Sequence, residues 1–358
     1  MLGIDLKIVL WAFAAFALAG VIAFAATPIV KNLAHKVGAI DVPKDARRMH
    51  TTPIPRMGGL AIFLGFLLSV LLFVPIDRQM QGILLGAVII VILGIVDDIM
   101  PLPALLKLVV QILAALVVVW HGTVIEAITN PNLLSADPHL HLGIWSIPVT
   151  VIWIVAITNA VNLIDGLDGL AVGVSSIASI SLLVIAIIVS EQNVAIIMAA
   201  LAGACIGFLP YNINPAKIFM GDTGSTFLGF ILASMSISGL FKFYAVVSFA
   251  VPFLILGLPL FDTMVAIGRR VIHGKNPMAP DRGHVHHKLI DMGFNQKQSV
   301  AILYMMSGLL GLSAVVLTSS GEIRAIMLLL AVMLAFAIGH KLFKELSRDN
   351  NNKTDDDK

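Results

Sequence analysis

Apolar runs of about the length that crosses a bilayer follow one another along the chain, separated by glycine, proline or charged residues. Backbone N–H and C=O groups must pair internally in hydrocarbon, and runs of this length do so as helices. The sequence therefore predicts an all-α, polytopic membrane protein with about eleven transmembrane helices in a single domain, residues 1–343, and a polar tail at 344–358. The runs fall at about 8–29, 58–75, 82–97, 104–120, 146–163, 170–190, 194–212, 223–240, 245–267, 299–318 and 323–343.

The composition agrees with this class and excludes several others. Hydrophobic residues make up 58% of the 358 residues and charged residues only 12%. A formal net charge of +2 gives no basic surface for nucleic acid, and no run of Lys and Arg alternates with aromatic residues. The single cysteine, Cys205, excludes a disulfide framework or a thiolate metal cluster within the chain.

The basic residues are distributed unevenly between the two sides of the membrane. If the N-terminus lies outside, 19 of the 23 Lys and Arg residues fall on the cytoplasmic side, and the other face keeps Lys7, Arg78, Lys242 and Arg324. This bias predicts an outside N-terminus and a cytoplasmic C-terminus. The first run is expected to be an uncleaved helix, because the residues before it are not net positive, it is long enough to span and a basic loop follows it. The loops that then face the cytoplasm, at 31–57, 97–107, 159–169, 213–225 and 268–298, hold the polar motifs described next.

The stretch NAVNLIDGLDG, residues 159–169, ends an apolar run with polar side chains instead of a simple turn. Asp165 and Asp168 are three residues apart, and Asn162 is three residues before Asp165, so helical geometry would place all three on one stripe. A capped helix end in contact with water is the plain alternative. The spacing excludes an EF-hand, because no Glu closes a twelve-residue loop.

Two further stretches place aspartates at run ends. In GIVDDIMPLPALLK, Asp97 and Asp98 are adjacent and Lys107 follows at the foot of the next run, although a solvated helix end is again the alternative. In FMGDTGSTFLGF, Asp222 stands just before a predicted helix start, where Thr223 and Ser225 are available to cap the helix or to contact a phosphate. Five aspartates on one face suit Mg²⁺, which takes one or two carboxylates, water and substrate phosphates.

The loop after the ninth run combines histidines with basic residues. Arg282, His284, His286 and His287 are suited to hydrogen-bonding a diphosphate, and an ordinary membrane-surface loop is the plain alternative. A zinc site is the weaker alternative, because neither cysteine nor an HExxH helix accompanies them. Asp262 lies inside the ninth run, where a carboxylate is costly and indicates function or an ion pair. Arg269, two helical turns further on, is its candidate partner.

Five motifs occur in one order along the chain: DVPKDARRMHTTPIPRMGG, VDDIMPLPALLK, NAVNLIDGLDG, FMGDTGS and PDRGHVHHK. In these motifs the chain resembles the polyprenyl-phosphate N-acetylhexosamine-1-phosphate transferases, glycosyltransferase family 4, over nearly its whole length. The resemblance implies a bacterial plasma-membrane enzyme that transfers GlcNAc-1-phosphate from UDP-GlcNAc to undecaprenyl phosphate and releases UMP. It also implies Mg²⁺, with Mn²⁺ as the alternative, and a homodimer.

The resemblance also implies roles for individual residues. Asp222 becomes the main Mg²⁺ ligand, with Asp97, Asp98, Asp165, Asp168 and Lys107 as the catalytic set. Asn159, Asn162, Arg282, His284, His286 and His287 become substrate-binding residues. Segment 31–57, with Arg47, Arg48 and His50, is expected near anionic headgroups or the acceptor phosphate, or is an ordinary positive-inside loop.

Two alternatives remain at this point. PDRGHVHHK resembles the branch of the family that uses UDP-GlcNAc, as in teichoic-acid initiation, and departs from the His-rich loop of the branch that uses UDP-MurNAc-pentapeptide. From a different class, an ion-coupled secondary transporter would use Asp262 and the helix-end carboxylates. Transporter sites lie near the bilayer midplane, however, and here the carboxylates are at run ends on one side.

Overall fold

The structure is a computed structural model that describes residues 6–43, 52–129, 139–240, 250–274 and 283–320. Helices dominate these ranges, as the apolar runs predict. Their bounds are α1 Leu6–Val37, α2 Gly59–Phe73, α3 Arg78–Ile99, α4 Ala104–Trp120, α5 Ser146–Leu163, α6 Leu170–Ile188, α7 Gln192–Asn212, α8 Gly221–Leu240, α9 Ala250–Ile255, α10 Gly257–Ile272, α11 Val285–Asp291 and α12 Gln296–Ser320.

Two small antiparallel hairpins accompany the helices. Strands β1 (Ile40–Asp41) and β2 (Ile54–Pro55) pair so that Ile40 faces Pro55. Strands β3 (Ala127–Thr129) and β4 (His139–His141) pair so that Ile128 faces Leu140. Both hairpins lie in connections between helices, so the predicted all-α class is unchanged by them.

Six helical segments of the described chain are long and apolar enough to cross a membrane. They are Leu6–Val37, Arg78–Ile99, Gly143–Leu163, Leu170–Ile188, Gln192–Asn212 and Gln296–Thr318. The prediction of a helical, multi-pass membrane protein is thereby confirmed. The count of eleven spans and the orientation of the termini stay predictions, and the run at 323–343 lies outside the described residues.

α4 and α5 have the bounds that their runs predict, Ala104–Trp120 and Ser146–Leu163, and the clearest departures are at α1 and at the run that contains α9 and α10. α1 continues from the predicted end at residue 29 to Val37, through polar residues that an apolar run does not include. The predicted run at 245–267 contains a break between α9 and α10 at Leu256. Pro259 accounts for this break, because it has no N–H to donate to the carbonyl of Ile255.

Close contacts between small residues hold the helices together. α1 packs along α7, where glycine leaves no room for a Cβ: one at Gly203 would meet the Phe16 carbonyl, and one at Gly207 would meet the Gly20 carbonyl. Such contacts are the usual means of helix association where lipid removes the hydrophobic driving force. Larger side chains fill the centre, including the fully buried Phe66, Phe208 and Phe227.

Candidate active site

The start of α8 forms the centre of the site, and a carboxylate from α3 holds it there. Asp98 Oδ1 accepts a hydrogen bond from the Asp222 N–H at 2.9 Å, and Asp98 Oδ2 accepts from the Thr223 N–H at 3.0 Å and from Thr223 Oγ1 at 2.6 Å. The Asp98 side chain is fully buried. It therefore satisfies two of the free N–H groups at the start of α8, as a capping residue does, although it comes from a different helix.

Glycines make this approach possible. Gly221 has a backbone φ of +72°, which residues with a side chain rarely adopt, and a Cβ there would collide with the Asp98 carboxylate. A Cβ at Gly94 of α3 would collide with Thr223, and one at Gly59 of α2 would collide with Gly224. The first turn of α8 is thus wedged between α2 and α3, which fixes the position of Asp222 in that turn.

Lys107, in the first turn of α4, lies between two carboxylates. Its Nζ is 3.0 Å from Asp97 Oδ2 and 3.0 Å from Asp222 Oδ2. Asp97 Oδ1 accepts a hydrogen bond from the Leu102 N–H at 2.7 Å, so the α3–α4 connection orients this carboxylate. Asp97, Lys107 and Asp222, which lie apart in the sequence, are therefore brought together, while their catalytic and metal-binding roles stay predictions.

Arg56 completes the cluster and was not among the predicted site residues. Its Nε lies 3.3 Å from Asp98 Oδ1, and its Nη2 lies 3.5 Å from Asp222 Oδ1. The only signal in the sequence was its place in the motif PIPRMGG, where it reads like any other positive-inside residue. Its contacts are with carboxylates 42 and 166 positions along the chain, which no local pattern indicates.

Asp165 lies in the loop between α5 and α6. Burial raises the pKa of its carboxyl to about 7, and the negative charge of Asp222 adds to this effect. Its carboxylate accepts no hydrogen bond from the described residues, in contrast to Asp97, Asp98 and Asp168. Asp165 is therefore the aspartate of the cluster whose oxygens remain available to a cation or a substrate.

The Asp168 carboxylate, unlike that of Asp165, accepts hydrogen bonds from the α7–α8 loop. Its Oδ2 accepts from Asn214 Nδ2 at 2.9 Å and from the Ala216 N–H at 3.0 Å, and Asn214 also donates to Gln296 Oε1 at 2.7 Å. Three segments are joined in this way: the α5–α6 loop, the α7–α8 loop and the start of α12. These contacts give Asp168 a part in shaping the site, while its predicted catalytic role remains a prediction.

The two predicted asparagines contact neighbouring helices. Asn162 Nδ2 donates to Ser225 Oγ at 2.8 Å, which ties α5 to α8. Asn159 Nδ2 donates to Gln111 Oε1 at 2.6 Å, and the buried Gln111 lies one turn beyond Lys107 on α4. The hydroxyls of Thr223 and Ser225, considered above as phosphate contacts, donate instead to Asp98 and to the Gly221 carbonyl.

The histidine segment packs against the α5–α6 loop. His284 Nδ1 lies 2.9 Å from Asp262 Oδ2, and the Val285 N–H donates to Asp262 Oδ1 at 2.8 Å. Asp262 thus anchors the start of α11, while its candidate partner Arg269 donates to the Gly283 carbonyl at 3.1 Å. The sequence left Asp262 open as a functional carboxylate or as half of an ion pair with Arg269. In the structure its carboxylate supports His284 and the start of α11.

His286 connects this segment to the aspartates. Its ring stacks on His284 with centroids 5.7 Å apart, and it lies against Gly166, where a Cβ would meet the imidazole. Burial, with a smaller effect from the neighbouring His287, lowers the pKa of His286 to about 3. His286 is therefore a neutral ring beside the Asp165 loop. The predicted residues Arg282, Arg47, Arg48 and His50 lie outside the described residues.

The cluster suits a divalent cation that takes only one or two carboxylate ligands from the protein. Across the described part of the chain, no group of three His, Cys, Asp or Glu side chains is arranged to hold a metal ion. Mg²⁺ does not need such a cage, since one or two carboxylates plus water and substrate phosphates suffice. Asp97 and Asp222 already converge on one cationic position, that of Lys107 Nζ, and Asp165 has free oxygens nearby. This donor set fits Mg²⁺ better than zinc, which prefers histidine and cysteine.

The fold and this cluster define a multi-pass helical membrane protein with a charged site at the ends of its helices. The model of the family described as "Glycosyl transferase family 4" matches residues 80–240. A Bacillus subtilis (strain 168) protein named "Probable undecaprenyl-phosphate N-acetylglucosaminyl 1-phosphate transferase" is 42% identical over 295 residues, 82% of this chain and 81% of the relative. The chain belongs to glycosyl transferase family 4.

Two other relatives differ in the substrates that their names state. The "Decaprenyl-phosphate N-acetylglucosaminephosphotransferase" of Mycobacterium tuberculosis (strain ATCC 25618 / H37Rv) is 34% identical over 331 residues, 83% of this chain and 80% of the relative. The "Phospho-N-acetylmuramoyl-pentapeptide-transferase" of Clostridium beijerinckii (strain ATCC 51743 / NCIMB 8052) is 30% identical over 306 residues, 79% and 89% of the two chains. Similarity is thus greater to relatives named for N-acetylglucosamine.

Proposed function

We propose that the chain transfers GlcNAc-1-phosphate from UDP-GlcNAc to undecaprenyl phosphate, with UMP as the second product. The observation that carries the proposal is the cluster of Asp97, Asp222, Lys107 and Arg56 at the end of α3 and the starts of α4 and α8. One substrate is a lipid and the other a soluble nucleotide, so the reaction requires charged groups where a bilayer meets water. The names of the N-acetylglucosamine relatives support the choice of sugar.

The orientation forms part of this proposal. About eleven spans, an outside N-terminus and a cytoplasmic C-terminus place the cluster on the cytoplasmic side, where sugar nucleotides are made. The excess of Lys and Arg in the loops that hold the motifs supports this orientation. Initiation of a cell-envelope glycopolymer such as teichoic acid is the corresponding pathway step, and a homodimer is the corresponding assembly.

The reaction is a displacement at the sugar-linked phosphorus of the donor. An acceptor phosphate oxygen forms the new P–O bond, and the bond to the UMP phosphate breaks, with its electron pair leaving on UMP. A phosphate monoester has a second pKa near ~6 and is mostly dianionic at neutral pH, so it needs no base. Because both Asp97 oxygens already accept hydrogen bonds, we assign Asp97 the task of orienting Lys107 toward the phosphates, in a single step without a phosphorylated aspartate.

The remaining residues bind and orient. Asp222, with Asp165 as the second carboxylate, would hold Mg²⁺, which would neutralise the diphosphate charge. Lys107 contributes a positive charge at the same place, and Asp98 keeps Asp222 in position through the first turn of α8. The His284–His286 segment, supported by Asp262, lies beside the Asp165 loop and offers the donor imidazole rings for hydrogen bonding.

The test uses purified protein in detergent with Mg²⁺, undecaprenyl phosphate and radiolabelled UDP-GlcNAc, with UMP release and label in lipid as the two measured quantities. Wild type is expected to give both in equal amounts, and Asp222→Asn is expected to give neither. Asp77→Asn is the matched control, because Asp77 caps the start of α3 at the opposite end of the bundle and Asn caps equally well.

Three outcomes would contradict the proposal. Reaction with UDP-MurNAc-pentapeptide alone would move the chain to the branch of its Clostridium relative. Uptake of unchanged sugar nucleotide into sealed vesicles, without UMP release, would favour a transporter. Equal activity of Asp222→Asn and wild type would show that the cluster takes no part in the reaction.

A further inference from the structure

The backbone around Arg56 is clamped on both sides. The Arg56 N–H donates to the Ala39 carbonyl at 2.8 Å, just beyond α1. On the other side, the Phe219 N–H donates to the Pro55 carbonyl at 2.8 Å, and the Gly58 N–H donates to the Phe219 carbonyl at 2.9 Å. Arg56 is therefore held in a fixed position against the segment that leads into α8, and its guanidinium reaches the cluster from a rigid base.

Arg56 and Lys107 contact Asp222 from its two sides. Arg56 Nη2 approaches Oδ1 at 3.5 Å, and Lys107 Nζ approaches Oδ2 at 3.0 Å. Each Asp222 oxygen therefore faces a positive side chain. A divalent cation that approaches Asp222 meets one of these two charges, at a distance where like charges repel strongly.

The balance of charge shows what Arg56 contributes. Asp97, Asp98 and Asp222 carry three negative charges, and Arg56 and Lys107 offset two of them. Lys107 contacts Asp97 as well as Asp222, whereas Arg56 contacts Asp98, whose oxygens are already bound to the start of α8. When it leaves Asp222, Arg56 still has the Asp98 contact to hold it at the edge of the cluster, where 27% of its side chain is exposed.

We propose that Arg56 is a positioning residue that competes with a divalent cation for Asp222 and so sets the metal affinity of the site. Without metal, the guanidinium holds the Asp222 carboxylate in place. When metal binds, the guanidinium leaves Asp222 and is free to contact a substrate phosphate, a role that depends on the proposed function. The competition itself depends only on the contacts described above.

The decisive measurement is Mn²⁺ binding without either substrate, followed by the loss of the free Mn²⁺ signal in electron paramagnetic resonance. Even at the dielectric constant of water, repulsion between monovalent and divalent charges roughly 5 Å apart corresponds to about a tenfold change in affinity. Arg56→Gln is therefore expected to bind Mn²⁺ about tenfold more tightly than wild type. Arg56→Lys, which keeps the charge, is expected to stay near wild type.

Lys217→Gln is the matched control, because Lys217 is an exposed cation on the α7–α8 loop and its loss changes the net charge equally. Its Mn²⁺ affinity is expected to equal that of wild type. Since Arg56→Gln removes two ion pairs, Arg56→Met is made in parallel to preserve the packing of the stem, and the variant that melts like wild type is used. Unchanged or weaker Mn²⁺ binding in that variant overturns the proposal.

The transfer assay separates this inference from the proposed function. Arg56→Gln is expected to transfer GlcNAc-1-phosphate at least tenfold more slowly at saturating metal, even though it binds the metal more tightly. Tighter Mn²⁺ binding in a protein that does not use UDP-GlcNAc would refute the proposed function and support the inference. If the wild type transfers GlcNAc-1-phosphate from UDP-GlcNAc but Arg56→Gln binds Mn²⁺ no more tightly than wild type, the proposed function is supported and the inference is refuted.

Discussion

Replacement of Asp98 by asparagine tests whether this residue acts through the fold or on the substrate. The wild-type carboxylate accepts three hydrogen bonds from the first turn of α8, and it also contacts Arg56. Asparagine keeps one acceptor oxygen and places an NH₂ group against backbone N–H donors, which cannot turn away. At least one charge-assisted hydrogen bond is lost, and a buried N–H is left unpaired.

Each hydrogen bond to a charged group contributes about 1.5–3 kcal/mol, so the expected destabilisation by Asp98→Asn is about 3 kcal/mol. At about 2 °C per kcal/mol for a chain of this size, the melting temperature falls by roughly 6 °C. The assay is thermal unfolding in detergent, read by the amount of monodisperse protein after heating. Transfer activity is expected to fall as well, because Asp222 loses its fixed position.

Two matched variants define the comparison. Asp77→Asn changes another helix cap, where Asp77 accepts from the Met80 N–H, and it is expected to melt within about 1 °C of wild type because Asn and Asp cap equally well. Asp97→Asn keeps the Leu102 hydrogen bond and is expected to cost less stability than Asp98→Asn. If Asp98→Asn melts like wild type and still loses all transfer, Asp98 acts on the metal or the substrate directly, and the reasoning from its contacts is refuted.

Four further outcomes follow from the structure. Gly221→Ala places a side chain at a strained φ, which costs about 1–2 kcal/mol, and displaces the Asp98 carboxylate. It should therefore lower the melting temperature, and this decrease should not add to the decrease that Asp98→Asn causes. Asp165→Asn should raise the melting temperature in metal-free buffer at pH 7.5, with a benefit that shrinks toward pH 5. The folded-state pKa of Asp165 is raised to about 7 from 3.8, so its ionisation costs stability as pH rises through that interval, and an equal effect at both pH values would contradict this. Gly166→Ala should raise KM for the sugar nucleotide several-fold with little change in melting temperature, because a Cβ there displaces His286; a change in kcat alone would argue against a binding role. Chelation with EDTA should abolish transfer and added Mg²⁺ should restore it, whereas full activity in EDTA would remove the metal from the proposal.

The sequence predicted the parts of the fold that depend on local pattern. α5 begins at Ser146 and ends at Leu163, the bounds that its apolar run predicts, because polar residues stand at both ends of that run. α1 is longer than its run, since the helix continues through Lys31 and Lys36, where hydropathy falls but helix propensity does not. Pro259 indicates the break before α10, but the length of an apolar run does not show it, because proline does not interrupt the hydrophobic pattern.

The site was predicted in composition and only partly in arrangement. Alternating helix directions bring Asp97 and Asp222 to the same end of the bundle, so their proximity follows from topology. The contacts of Asp98 with Thr223, 125 residues away, depend on how closely α3 and α8 approach at their glycines. Arg56 was missed for the same reason, because a basic residue in a connection between helices has the same sequence pattern whether it meets carboxylates or lipid headgroups.

The position of Asp98 has a consequence for inhibitors. A free helix start attracts phosphates through its N–H groups and the positive end of its dipole, but at α8 two of those groups, the N–H of Asp222 and of Thr223, are already bound to the negative charge of Asp98. In the proposed transferase, a compound that imitates a substrate phosphate therefore has to bind through Lys107 and Arg56, and its potency should fall as salt screens these partly exposed charges. Resistance through loss of either cation would weaken the hold on the natural substrates at the same time.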